Sequence, residues 1–117
     1  MSQTTTLILL PQTSYVNPGN SSPYTVTGNS QPAAAYYLGN QDLQTVAIKT
    51  TNLTGNIVIQ ASLATNPTAN DWFNVYTLES NVDTTSTYTN INGNFVYMRA
   101  KIEDFAEGVL QYVKLTY

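Results

Sequence analysis

Neither cysteine nor histidine occurs in this 117-residue chain. Without Cys there is no disulfide framework and no thiolate chemistry, and the redox compartment is left open. The lack of His as well removes Ser-His-Asp and Cys-His triads, the usual zinc sites and the commonest general base near neutral pH. Charge is scarce too: 9% of residues are charged, with four Lys or Arg against seven Asp or Glu and a net charge of -3. Such a surface has no electrostatic footprint for nucleic acid or anionic lipid. The aliphatic run Leu7 to Leu10 has no positive region before it and is far too short for a membrane span or a signal-peptide core. The expectation is a soluble product made in the cytosol, with neither nucleic acid nor membrane as partner and with no cofactor.

Solubility comes instead from Thr, Asn, Ser and Gln, set against an ordinary 42% hydrophobic content. A chain of this length forms one domain able to bury roughly two thirds of its unfolded surface, so no staple is needed. Its organising stretch runs from Thr54 to Tyr76. Ile57, Ile59, Ala61 and Leu63 alternate with Val58, Gln60 and Ser62; a polar loop with Pro67 follows, and then Trp72, Phe73, Val75 and Tyr76. This pattern is strand, loop, strand. The single Trp is placed where its ring can cover the end of a core.

Along the chain, Thr4 to Leu10 reads as a strand ended by Pro11. From Gln12 to Pro32 the composition is that of a long loop, with one short strand around Tyr24 to Thr27, or of an arm ordered against a neighbour. Ala33 to Leu38 reads as a short strand. Leu43 to Lys49 alternates with its apolar residues divided between faces, which leaves its orientation open, and Thr54-Gly55 reads as a turn. Thr84 to Thr89 is a weaker strand, and Asn92-Gly93 is a hairpin signal. In the next strand Val96, Met98, Ala100 and Ile102 share a core face. Glu103 to Gly108 turns the chain before a terminal strand, Val109 to Tyr117.

Some eight short strands without a long helical stripe predict an all-β domain, an antiparallel β-sandwich of jelly-roll type, with an Ig-like sandwich as the alternative. Residues 1–32 form the opening strand plus a loop or extended arm, and 33–117 the sandwich core.

Carboxylates are the remaining chemistry. Asp71 and Glu79 lie about 25 Å apart along one strand at about 3.3 Å per residue, too far for a glycosidase pair. Glu103, Asp104 and Glu107 lack the spacing of a calcium loop and read as a solvated turn. Asp71 reads as a local cap accepting turn N–H bonds. No catalytic or metal residue is assigned, and the chain is expected not to be an enzyme.

Nine tyrosines are too many for the core alone. An exposed Tyr offers rigid contact area at low entropy cost. Tyr15, Tyr24, Tyr36 and Tyr37 are the candidate interface residues. Phe105 is read first as a plug over the end of the core and is kept with them. Under the alternative of a carbohydrate-binding module, Trp72 and Tyr76 would stack on a sugar.

The run Gly55 to Val75, reading GNIVIQASLATNPTANDWFNV, resembles a pattern in small virion structural proteins of tailed bacteriophages, particularly those of marine cyanobacteria. Tyr36 to Val46 precedes it and Gly93 to Ala100 follows it, so the resemblance covers about residues 36–117 and excludes Met1 to Pro32. It implies a virion location and a capsid decoration or neck or tail accessory subunit. Such a subunit would act through contacts with other virion proteins and as a homo-oligomer, a trimer being favoured. A host-surface glycan is the partner under the alternative reading.

Overall fold

The structure is a computed structural model that describes residues 6–15, 24–34, 36 and 43–117. Four short strands open it: β1 (Thr6–Leu10), β2 (Thr13–Ser14), β3 (Tyr24–Thr27) and β4 (Gln31–Pro32). Two strands of 20 residues each dominate it, β5 (Leu43–Ser62) and β8 (Tyr97–Thr116). Between them lie a 3-10 turn (Ala69–Asp71), β6 (Phe73–Asp83) and β7 (Ser86–Asn92). Among the described residues there are eight strands, the expected number, and every pairing is antiparallel.

β5 and β8 each serve two sheets. Residues 43–51 of β5 lie between β7 and residues 109–116 of β8, whose far side carries β1 and β2. Residues 54–62 lie between β6 and residues 97–107 of β8, whose far side carries β3 and β4. A straight 20-residue strand would reach about 65 Å, whereas the longest extent of the molecule is 47 Å. Both strands therefore bend, and the two halves become two facing sheets. With β1 and β2 counted as one strand, β3 and β4 as another, and the halves of β5 and β8 separately in chain order, the sheets run 1-8-3-6 and 2-7-4-5. That nested order is the double Greek key of a jelly roll, and it sets aside the Ig-like alternative, whose sheets are differently composed.

The bend has a local chemistry. Inward residues are even-numbered before it (Gln44, Val46, Ile48, Thr50) and odd-numbered after it (Leu53, Ile57, Ile59, Ala61). A parity switch demands an irregular residue, and Asn52 supplies it at φ 49°. In β8 the switch from Ile102 to Phe105 passes through Asp104 at φ 54°, and Gly108 follows at φ 90°. The expected turn at Thr54-Gly55 is thus not a turn: both residues lie inside β5, beside register shifts against β6 and β8. Similarly, Glu103 to Gly108 bends a continuous strand rather than ending one.

One core fills the space between the sheets, drawing Val46, Ile48 and Leu115 from the first and Ile57, Ile59, Met98 and Ile102 from the second. Val96, expected on the same face as Met98, is half-buried just before β8 begins. At the end opposite the bend, fully buried Gln44 ties the sheets together. Its Oε1 accepts from the Ala34 N–H (3.2 Å), while its Nε2 donates to the carbonyls of Ile91 (2.9 Å) and Gly93 (3.1 Å). The Tyr117 hydroxyl donates to the Pro32 carbonyl nearby at 2.8 Å. Gly93 serves this closure and not a hairpin, because β7 pairs with β5 among the described residues and not with β8.

Within 12–32, β2, β3 and β4 all pair with β8. The strand expected at Tyr24 to Thr27 is present with those bounds, while residues 16–23 lie outside the described set. The strand expected from Ala33 to Leu38 is not formed where it is described. Ala34 and Tyr36 have helical backbone, and the Tyr36 N–H donates to the Ala33 carbonyl at 3.0 Å.

Candidate functional site

Three surface regions collect the side chains that sequence reasoning singled out. The first is the bend end. Tyr15 is half-buried, sets its ring edge-on to Phe105 at 5.5 Å between centroids, and donates its N–H to the Gly108 carbonyl at 2.9 Å. Tyr24 pairs with Phe105 through the backbone; its side chain lies outside the described set, as does Tyr37. Phe105 is completely buried. It is a core residue and not an interface contact, because the Asp104 kink turns its side chain inward between the sheets. Glu103 and Glu107 flank it without converging. Glu103 pairs with Lys101 at 2.8 Å, and Glu107 accepts from the Thr54 hydroxyl at 3.4 Å. Among the described residues no three Asp or Glu side chains gather where they could hold a metal ion.

The second region is the outer face of the second sheet. Asn74, Gln60 and Arg99 stand in register on β6, β5 and β8. Gln60 donates from Nε2 to Asn74 Oδ1 (2.9 Å) and accepts from Arg99 Nε (2.8 Å). The Arg99 guanidinium lies 4.4 Å from the centre of the Trp72 ring, a cation–π contact. Burial pulls the Arg99 pKa below its ordinary value, and the guanidinium stays cationic because that value begins far above neutrality. This stack explains why Gln60 is nearly inaccessible although it points away from the core.

Trp72 is held by the turn before it. The Asp71 carboxylate accepts from the Thr68 N–H (2.6 Å) and the Thr68 hydroxyl (3.0 Å). Those two bonds lower the Asp71 pKa, the backbone one contributing most. The capping role expected of Asp71 is therefore present. Trp72 itself does not cover the end of the core: it is half-buried, outside the core cluster, with one ring face taken by Arg99. Tyr76 pairs with inward-facing Ile59 and packs against the core. The two candidate sugar-stacking rings thus sit on opposite faces of one sheet and form no common platform.

The third region is the side of the sandwich edged by β6 and β7, which sequence reasoning did not assign to an interface. Here, in the neighbouring loop and at the start of β5 lie exposed Leu43, Leu63, Phe73, Val82 and Tyr88. Tyr36, also exposed, packs at 5.4 Å against Tyr97 at the Gln44 end. Tyr15 and Tyr36 therefore mark opposite ends of the sandwich. The signal for the third region was available in composition, since Ser86–Asn92 carries no charge and no Pro.

No protein-family model matches the chain, and no curated protein matches it. Among solved structures it is similar to one described as the structure of infectious bursal disease virus, Gx strain, with a TM-score of 0.41 and 13% identity. That match covers 98% of this chain and 32% of the other, so the chain spans about a third of the length of that relative. Among the described residues, no helix is long and apolar enough to cross a membrane.

Proposed function

We propose that this chain is a non-enzymatic structural subunit of a virus particle of the tailed-phage kind, a capsid decoration or a neck or tail accessory protein. It works through contacts with other virion subunits and with copies of itself, and its location is the virion. The observation that carries this reading is the character of the surface. A jelly-roll sandwich exposes aliphatic and aromatic side chains along its outer strands and loops, and the charge that would oppose close packing is sparse. Jelly rolls serve as capsid domains and as lectins, and fold alone does not choose between them. The sequence resemblance to small virion proteins favours the first.

The absence of Cys and His suits a protein whose fold must persist outside a cell without redox or metal dependence. A sugar-binding role has less support, because Arg99 occupies one face of Trp72 and Tyr76 faces inward. Mass spectrometry of gradient-purified particles from a phage that encodes the chain tests the proposal. The protein should copurify in fixed ratio to the major capsid or tail proteins. Its recovery in the soluble lysate alone would overturn it.

A further inference from the structure

We infer that the free edge of β7 pairs with the same edge of a second copy, in antiparallel register about a two-fold axis at Thr89. The ladder between β5 and β7 fixes which backbone groups of β7 are free to pair outward. Thr50 and Thr85 exchange both backbone bonds, N–H to carbonyl at 2.8 and 3.2 Å. In an antiparallel ladder such pairs alternate with pairs whose N–H and C=O groups point away from each other. Continued along the register, Ile48–Thr87, Val46–Thr89 and Gln44–Ile91 are bonded pairs. It follows that Ser86, Tyr88, Asn90 and Asn92 direct their backbone groups outward. Among the described residues β7 pairs with β5 alone. The outward row is a strand-addition template.

The occupant follows from the contrast between β7 and β6, the edge of the other sheet on the same side of the sandwich. β6 is guarded in the ways that usually blunt an edge: it carries Glu79 and Asp83, register shifts mark both ends of its ladder, and Val82 sits at φ 55°. β7, reading STYTNIN, has no charge, no Pro and an unbroken register over all seven residues. An identical strand laid against it meets no like charge, whereas charged flanks would be the expected mark of a site selecting a different chain. With the axis at Thr89, Ser86 faces Asn92 of the second copy and Tyr88 faces Asn90 of the second copy. Every outward backbone group then finds its complement, with two bonds per facing pair. Tyr88, 69% exposed, gains cover from the neighbouring copy. The first sheets of the two copies become one continuous sheet. The edge makes a dimer, where the sequence resemblance had favoured a trimer.

This inference stands on the strand edge and not on a virion location, so the two fail separately. The test is the mass of the purified full chain by sedimentation or light scattering from micromolar to millimolar concentration, for the wild type and three variants. Tyr88→Pro removes an outward N–H that β5 does not use. Tyr88→Lys places two like charges beside the axis, on an exposed side chain whose change leaves the fold intact. Glu79→Lys alters the other outer strand and serves as control. The expected result is a wild type and E79K that approach two copies as concentration rises, with Y88P and Y88K remaining single at every concentration. Should Y88P fail to fold, Y88K decides. A wild type that stays monomeric throughout, forms a trimer, or dimerises equally well as Y88K overturns the inference.

Discussion

Gly108 and Asn52 face each other where the two long strands bend together, Gly108 at φ 90° and Asn52 at φ 49°. A Cβ on Gly108 would collide with the Asn52 carbonyl and lie 2.6 Å from the Leu53 Cα. Neither contact can be relieved by turning a side chain, since both are backbone. Gly108→Ala is therefore expected to cost about 2–4 kcal/mol, from a disfavoured φ together with backbone displacement. A chemical-denaturation midpoint shift would measure it, and an unchanged midpoint would remove Gly108 from the account of the bend.

Gln44 joins the sheets at the other end. Gln44→Leu keeps much of the volume but leaves the Ala34 N–H without its acceptor and takes the side-chain donor from the Ile91 and Gly93 carbonyls, each of which keeps a backbone N–H. Unpaired buried polar groups cost about 1–3 kcal/mol each before relaxation, so thermal unfolding should move clearly downward. Gln44→Glu should be worse, because it loses the same donor and sets a buried carboxylate against the Ile91 and Gly93 carbonyl oxygens.

The Arg99–Trp72 contact can be read by fluorescence. Arg99→Ala takes the guanidinium off the ring and removes the donor to Gln60. The Trp72 emission should shift to the red as water reaches the ring, with a stability loss of about 1–2 kcal/mol. An unshifted spectrum would mean that the ring is shielded by something other than Arg99.

Acid should loosen the turn that carries Trp72. The Asp71 carboxylate is held below its ordinary 3.8 by the Thr68 bonds. A depressed carboxylate pKa contributes stability that is present above 3.8 and lost as pH falls through the lower folded value. Trp72 emission followed below pH 4 should therefore show a transition in the wild type that is absent in Asp71→Asn.

Removing residues 12–32 should unfold the domain rather than merely release an arm. The deletion takes away β2, β3 and β4, which line β8 from Tyr97 to Leu110 and cover core residues such as Met98, Ile102 and Phe105. Loss of the β-sheet circular dichroism signal is expected. A folded deletion product would show that those strands are dispensable.

Much of this fold was legible in the residues. The alternation of Ile57, Ile59 and Ala61, and of Met98, Ala100 and Ile102, marked their inward faces, and Tyr24 to Thr27 stood out as a short β-rich run between turn residues. The bends were not legible. Turn chemistry such as Thr54-Gly55 and Asn92-Gly93 is read locally, but here tertiary pairing keeps β5 continuous and turns Gly93 to the service of Gln44. Two of the three bend residues in the left-handed region are Asn52 and Asp104, types tolerant of αL without being diagnostic of it. The surface was harder still. Phe105 and Tyr76 look like any exposed aromatic in sequence, and the parity switches that send Phe105 inward exist only in the folded strands.

A cryo-electron microscopy reconstruction of a particle from a phage that encodes the chain tests whether this jelly roll packs into the virion. Density matching the two-sheet fold is expected at symmetry-related positions on the head, neck or tail, in contact with neighbouring subunits. A complete reconstruction with every density accounted for by other proteins would contradict that expectation.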